Sequence, residues 1–203
     1  MNTYHWHPAI KVNRDGPYAH RYPLHLRQGD LDGACGQHCV LMALTLLGIV
    51  TRPQLDNLTQ PRSKKLSSFW DKAEPNYFVG TGAEDLKATL HPYAKQVEYK
   101  LYRKHCIEHV INSLNGSGIA IVDIESSVLS HWVLAIGIGG LTTKNEIKPR
   151  SLLMLDPGYD PIPLTPCNAM LMTRPNVNDQ YSFRTAACVQ AVSIQQVLTI
   201  KRR

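Results

Sequence analysis

The sequence lacks several features that define whole classes of protein. Its longest apolar run, Cys39 to Val50 with Thr45 inside it, is too short to cross a bilayer, which takes about 20 apolar residues. Its first residues, Met1 to Pro8, contain neither the basic stretch nor the apolar core of a secretory signal. We therefore expect no membrane span and no signal peptide. The protein is expected to be cytoplasmic, or to be delivered to the cytosol of a target cell.

A disulfide framework and a nucleic-acid-binding motif are also missing. The chain has five cysteines, an odd number, and their wide spacing suits a reducing compartment. Its formal net charge is +6, but the dense basic residues are confined to the tail Lys201-Arg202-Arg203. Because no nucleic-acid motif accompanies this charge, it indicates a solvated surface or, alternatively, a preference for an acidic partner.

The chain does have the length and apolar content for one domain. It has 203 residues, of which 43% are hydrophobic and 19% charged, as in ordinary globular proteins. Residues 1–26 contain four of the nine histidines and are predicted to form an extended N-terminal arm of the single domain 1–203. Periodicity predicts further elements: helices at about 33–47, 83–90 and 107–114, a polar loop at 61–77, strands at 97–102 and 119–124, and a strand within 186–200 that closes a sheet.

Cys35 lies at the start of a helix that is apolar on nearly every side. A helix of this kind is normally buried in the middle of a domain. Asp32 is predicted to cap its start and Gly48 to end it, which places Cys35 in the first turn. Free backbone N–H groups at that end stabilise a thiolate, the reactive form of cysteine. The pattern favours a nucleophile, although a buried structural cysteine is the alternative.

His131 begins one predicted buried strand and Asp156 ends the next. Residues 139–150 between them are predicted to form a hairpin loop. In an antiparallel hairpin the start of the first strand faces the end of the second, so His131 is predicted to oppose Asp156, with Ile138 opposite Pro149. Asp156 would then orient the His131 ring toward Cys35. These are the nucleophile, base and orienting acid of a thiol-dependent enzyme.

These motifs together resemble the papain-like cysteine peptidases. The resemblance covers about residues 27–158 and is closest to the C39-like type, which cleaves bacteriocin precursors after a double glycine. It rests on the following segments: Gln28, Cys35-Gly36-x-x-Cys39-x-x-Met42, His131-Trp132-Val133-Leu134 and Asp156-Pro157. The resemblance implies an α+β, papain-like fold, in which an N-terminal helical half carrying the cysteine helix packs on an antiparallel sheet carrying the histidine and aspartate.

The resemblance also implies roles for individual residues. Cys35 would be the nucleophile, His131 the base and Asp156 the orienting acid. The side-chain amide of Gln28 would stabilise the oxyanion beside the backbone N–H of Cys35. Gln28 precedes Cys35 by seven positions, one more than the usual spacing in this family. No cofactor and no metal are implied.

The activity implied by the resemblance is hydrolysis of peptide bonds in a protein or peptide substrate, after small residues such as Gly-Gly. Because no exporter accompanies the peptidase segment, we expect a free-standing enzyme. An interbacterial effector toxin, held in check by an acidic immunity protein, is one such role. Two alternatives stay open: the same triad used for acyl transfer or glutamine deamidation, and an inactive peptidase-like binding module.

Several residues admit a second interpretation. Asp123 is the rival of Asp156 for the acid role. Cys35, His38 and Cys39 resemble part of a zinc site, but two helical turns do not supply four ligands, and Cys39 is expected to pack in the core. The pair Gly139-Gly140 is predicted to form the hairpin turn, with a self-cleavage site as the alternative.

Overall fold

The computed structural model describes residues 1–30, 32–56, 63–142, 147–176 and 178–203. Its helices are α1 (Cys35–Leu46), α2 (Arg52–Asp56), α3 (Lys64–Ala73), α4 (Ala83–Leu90) and α5 (Cys106–Asn115). Its strands are β1 (Asn2–Trp6), β2 (Ile10–Asn13), β3 (Gly16–Ala19), β4 (Tyr22–Pro23), β5 (Val97–Tyr102), β6 (Ile119–Glu125), β7 (Ser130–Thr142), β8 (Ile147–Leu155), β9 (Ala169–Met172), β10 (Tyr181–Thr185) and β11 (Val189–Arg202). The α+β class is confirmed.

Six antiparallel strands form a closed barrel rather than an open sheet. Their order is β7-β6-β11-β10-β9-β8, and β8 pairs again with β7 to complete the ring. β11 pairs with both β6 and β10, so the strand predicted within 186–200 does close the sheet. β1 and β5 extend the barrel wall by pairing with β7 and β11 respectively.

Two apolar clusters lie on the two faces of this wall. α1 packs on one face against residues of β6 and β7 such as Ile121 and Leu134, and α4 and α3 extend this cluster by packing on α1 and α4 respectively. The other cluster contains residues such as Val122 and Val133 from inside the barrel, together with Val110 of α5. Nearly every residue of α1 is buried, as its apolar sequence predicts. No helix in the described ranges is long and apolar enough to span a membrane.

The segment predicted as an extended arm contains four short strands. β1 pairs with β7, and β2, β3 and β4 form a small antiparallel sheet of their own. The turn predicted at Gly139-Gly140 is wrong, because both glycines lie inside β7 and oppose Tyr4 and Thr3 of β1. A Cβ on Gly139 would collide with the Tyr4 ring, so the glycine permits the close approach of β1. Residues 143–146 of the predicted loop lie outside the described residues.

α3 occupies most of the predicted polar loop. Ser63 caps it by accepting a hydrogen bond from the backbone N–H of Leu66 at 3.2 Å. Leu66, Phe69 and Ala73 are its buried residues, and this spacing places them on one helical face. The loop prediction followed the polar content of the segment and overlooked this spacing. Residues 61–62 of the predicted loop lie outside the described residues.

Candidate active site

Cys35 is the first residue of α1 and is 7% exposed. The predicted cap Asp32 is wrong, because Ala34 is the residue at the N-cap position and makes no side-chain cap. The Asp32 carboxylate instead accepts hydrogen bonds from the backbone N–H groups of Gly29 at 2.6 Å and Ala34 at 3.0 Å. Asp32 therefore closes the turn that leads into α1. Because Ala34 has no side-chain acceptor, it does not cap the N–H groups of the first helical turn. These groups favour an anion at Cys35.

His131 and Asp156 form a short hydrogen bond. His131 Nε2 donates to Asp156 Oδ1 at 2.6 Å. The Asp156 side chain is 1% exposed, and its Oδ2 has no hydrogen-bond partner among the described residues. A buried carboxylate in this position depends on His131 for its counter-charge.

The predicted strand register is wrong, although the two side chains meet. Leu134 opposes Leu155 and Gly140 opposes Pro149, whereas the prediction placed Ile138 opposite Pro149. The pairing of β7 with β8 contains two irregularities, at residues 135–137 and 139–140 of β7, which alternation of apolar residues does not reveal. The Asp156 carboxylate reaches His131 from just beyond the end of β8.

The charge state of His131 follows from its two neighbours. Burial lowers the pKa of the His131 ring, but the hydrogen bond to Asp156 and the interaction with Cys35 outweigh it and raise the pKa to about 10. The ring is therefore an imidazolium at neutral pH. Because Nε2 is bonded to Asp156, Nδ1 is the nitrogen left to interact with the sulfur of Cys35. A positive ring beside a cysteine at a helix start favours the thiolate.

Asp123 does not take the acid role. Asp123 opposes Trp132 in the pairing of β6 and β7, whereas His131 opposes Ile124. The acid bonded to His131 is Asp156, whereas Asp123 has a different partner. Its carboxylate accepts a hydrogen bond from Gln196 Nε2 at 2.8 Å.

Gln28 lies between the start of α1 and the loop that follows β8. Its backbone N–H donates to the Pro157 carbonyl at 2.8 Å, and its side-chain Nε2 donates to the Asp32 carbonyl at 2.9 Å. Its Oε1 is buried and has no hydrogen-bond partner among the described residues. Gln28 is thus held beside the site, and one hydrogen of its amide is already engaged. Its role as an oxyanion donor stays a prediction.

Two buried residues that the sequence did not suggest hold Asp156 in place. Asn168 Oδ1 accepts a hydrogen bond from the backbone N–H of Asp156 at 2.7 Å, and its Nδ2 donates to the carbonyls of Asp156 at 2.8 Å and Tyr159 at 3.0 Å. His25 Nε2 lies 2.9 Å from the same Asp156 carbonyl and donates to it. Neither residue belongs to a motif, and only the fold brings them to Asp156.

The segment 77–82 forms a wall beside the start of α1. The Tyr77 carbonyl accepts a hydrogen bond from the Gly33 N–H at 2.8 Å, and the Thr81 carbonyl accepts one from Trp132 Nε1 at 2.8 Å. A Cβ on Gly33 would lie 2.6 Å from the Gly80 nitrogen, so only glycine fits there. The side chains between these anchors, Phe78 and Val79, are 74% and 81% exposed.

Cys39 is a core residue, as predicted. It is fully buried, its thiol donates to the Trp132 carbonyl at 3.4 Å, and burial raises the pKa of this thiol well above its ordinary value. His38 Nδ1 lies 2.8 Å from the Ala34 carbonyl. Within the described ranges, no group of three or more His, Cys, Asp or Glu side chains is arranged to hold a metal ion.

No family model matches the sequence, and no curated protein matches it.

Proposed function

We propose that this protein is a papain-like cysteine peptidase of the C39-like type. One observation carries the proposal: the buried His131–Asp156 hydrogen bond of 2.6 Å, with the His131 ring interacting with Cys35 at the start of α1. A cysteine at a helix start, a histidine beside it and an acid that orients the histidine are the parts of an activated thiol nucleophile.

The proposed reaction uses Cys35 as the nucleophile and His131 first as an acid and then as a base. The Cys35 thiolate attacks a peptide carbonyl and forms a tetrahedral intermediate. The His131 imidazolium then protonates the leaving amine as the C–N bond breaks, which leaves a thioester on Cys35. Neutral His131 then takes a proton from water as the water attacks the thioester, and the C–S bond breaks to release the acid product and restore the thiolate–imidazolium pair.

The negative oxygen of each tetrahedral intermediate needs two donors. The backbone N–H of Cys35 supplies one, because Cys35 is the first residue of α1. Gln28 is the proposed second donor, since its amide nitrogen has a hydrogen beyond the one that bonds Asp32. Preorganised donors of this kind contribute on the order of 3 kcal/mol each to the transition state.

The wall 77–82 supports a peptide as the substrate. It offers backbone groups beside Gly33 and the exposed apolar side chains of Phe78 and Val79. Small residues before the scissile bond, such as Gly-Gly, are proposed from the family resemblance.

An unbiased search for new protein N-termini tests the proposal. Cells that express the wild type should show N-termini that are missing with Cys35→Ala. The matched control is Cys106→Ser, because Cys106 lies on α5 away from the triad and its loss should leave cleavage unchanged. Identical N-termini with the wild type and Cys35→Ala would contradict the peptidase proposal. Mass changes without chain cleavage would point to deamidation or acyl transfer.

We also propose that the enzyme acts as an interbacterial effector in the cytosol of a target cell, restrained by an acidic immunity protein. The net charge of +6 favours an acidic inhibitor. Expression in a bacterial cytoplasm should slow growth with the wild type but not with Cys35→Ala. Equal growth at matched protein levels would contradict the toxin role and leave the peptidase proposal standing.

A further inference from the structure

A groove on the barrel wall lies outside the site already described. Its volume is about 590 Å³, and it is formed by residues of β8, β9, β10 and β11 with the segment after β9. Apolar side chains, Met172 and Val189 among them, line it together with the Tyr181 ring and neutral polar groups. None of the described residues that line it is acidic. The nearby Asp179 lies in the turn before β10 and is not part of the lining.

Two arginines without counter-charges stand together in this groove. Ser151 opposes Met172 in the pairing of β8 and β9, and the Thr173 N–H donates to the Arg150 carbonyl at 2.9 Å. Arg150 and Arg174 therefore come from neighbouring chain segments. Among the described residues neither has an ion-pair partner. Because both line the same groove, a bound anion can pair with their guanidinium groups.

Several other arginines of the described residues do have ion-pair partners. Arg27 lies 3.2 Å from Asp160, and Arg52 lies 2.8 Å from Asp56. Arg21 and Arg184 also lack ion-pair partners among the described residues. What distinguishes the groove is that two such guanidinium groups share one lining with apolar side chains.

The groove reaches the loop that carries the catalytic acid. Val189 lines the groove, and the preceding residue, Cys188, has its sulfur 3.8 Å from the Tyr159 hydroxyl. Tyr159 follows Asp156 by three residues. No described lining residue comes from α1 or from the wall 77–82. A ligand in the groove would therefore leave Cys35 open to another part of the same polypeptide.

We propose that this groove is a binding site for an acidic segment of the protein substrate, remote from the bond that is cleaved. The inference rests on the proposed peptidase function. Carboxylates of the segment pair with Arg150 and Arg174, and an aliphatic side chain between them contacts Met172 and Val189. Nucleic acid is a poorer match, because Tyr181 is the sole aromatic side chain of the described lining and successive bases need several stacking platforms.

Binding is measured on the Cys35→Ala protein, so that it does not depend on catalysis. The probe is a fluorescein-labelled synthetic peptide in which glutamates flank a Leu-Val pair, followed by fluorescence anisotropy. We expect Arg150→Gln with Arg174→Gln to weaken binding about tenfold, and added salt to weaken it further. The control, Arg14→Gln with Arg103→Gln, removes the same net charge from exposed ion pairs and should have no effect.

Two results of this measurement would overturn the proposal. One is equal binding of a peptide with lysine in place of glutamate. The other is tighter binding of a single-stranded oligothymidylate than of the acidic peptide. Equal losses in the groove variant and the control variant would also overturn it, because they would show an effect of net charge alone.

Cleavage then tests whether the occupant is substrate. Yields of the Cys35-dependent N-termini should fall several-fold in the groove variant and stay unchanged in the control variant. The rate of Cys35 alkylation should be the same in both. Loss of peptide binding with unchanged yields would assign the groove to another acidic partner and overturn the substrate proposal. If no Cys35-dependent N-termini exist at all, the proposed peptidase function is wrong. The anisotropy measurement still tests whether the groove binds an acidic peptide.

Discussion

The two sides of the candidate site are held in different ways. On the barrel side, Asp156 is fixed by hydrogen bonds with the polar side chains of His131, Asn168 and His25. On the helical side, Cys35 is fixed by the packing of α1. The chain that leads into α1 is held by a turn around Asp32. Side-chain networks respond to single polar substitutions, whereas a buried helix responds to the loss of packing volume. Substitutions on the two sides should therefore impair the protein in distinguishable ways.

The triad gives the largest expected effect. Cys35→Ala and His131→Ala should each reduce turnover by on the order of 10⁴-fold or more, because they act as one unit, and Asp156→Ala should reduce it less. Steady-state kinetics with a peptide from the N-terminus search checks this. Wild-type turnover by Cys35→Ala would remove Cys35 from the mechanism, and full activity of Asp156→Ala would show that His131 needs no acid from that position.

Gln28 tests the helical side. Gln28→Ala should lower kcat by about 10²–10³-fold with little change in KM or in Cys35 alkylation, since its contact strengthens only in the transition state. The control is Gln54→Ala, whose side chain caps only the exposed start of α2. A loss below about threefold, with the fold intact by circular dichroism, would leave Gln28 with only its structural contact to Asp32.

Stability against pH tests the barrel side. The pKa of His131 in the folded protein is about 10, above its ordinary value of 6.5. The proton on His131 therefore contributes stability fully below pH 6.5, and this contribution is lost as the pH rises toward 10. His131→Ala should lower the free energy of unfolding at pH 6 by on the order of 3 kcal/mol, because Asp156 then has no counter-charge.

Chemical denaturation of both proteins across this pH range checks the effect. The decline in stability between pH 6.5 and 10 should be steeper in the wild type than in His131→Ala. Parallel curves for the two proteins would show that Asp156 and Cys35 do not raise the pKa of His131 in the folded state.

Asn168 gives the smallest expected change in activity. Asn168→Ala removes the hydrogen bonds on both sides of Asp156 and should lower kcat about tenfold by displacing the carboxylate. A purely structural role would lower stability alone, so the pKa of His131, followed by NMR, is the second readout and should fall. An unchanged His131 titration would contradict a positioning role. Asn115→Ala, at the exposed end of α5, is the control.

Elements with a local pattern were predictable from the sequence. The helix at 83–90 and the strand at 97–102 match α4 and β5 to the residue, because apolar spacing and flanking residues define them. Gly48 does follow the end of α1, with a φ of +68° that suits glycine. The sequence also predicts that Cys35, His131 and Asp156 come together, since each stands at the end of a strongly patterned element. The structure shows the hydrogen bond between His131 and Asp156.

What the sequence did not reveal depends on contacts between distant segments. The register of β7 and β8 is shifted by bulges that a period-two pattern does not show. β9 and β10 lie in a proline-rich stretch, yet they complete the barrel and bring Asn168 to Asp156. The unpaired Arg150 and Arg174 likewise become neighbours only when β8 pairs with β9.

The most direct test of the central claim is the rate at which iodoacetamide alkylates each cysteine at pH 6, resolved by mass spectrometry. Cys35 should react much faster than Cys106, because the His131 imidazolium and the start of α1 favour its thiolate. His131→Ala should remove most of this advantage. Equal rates at Cys35 and Cys106, unaffected by His131→Ala, would contradict an activated nucleophile at this site.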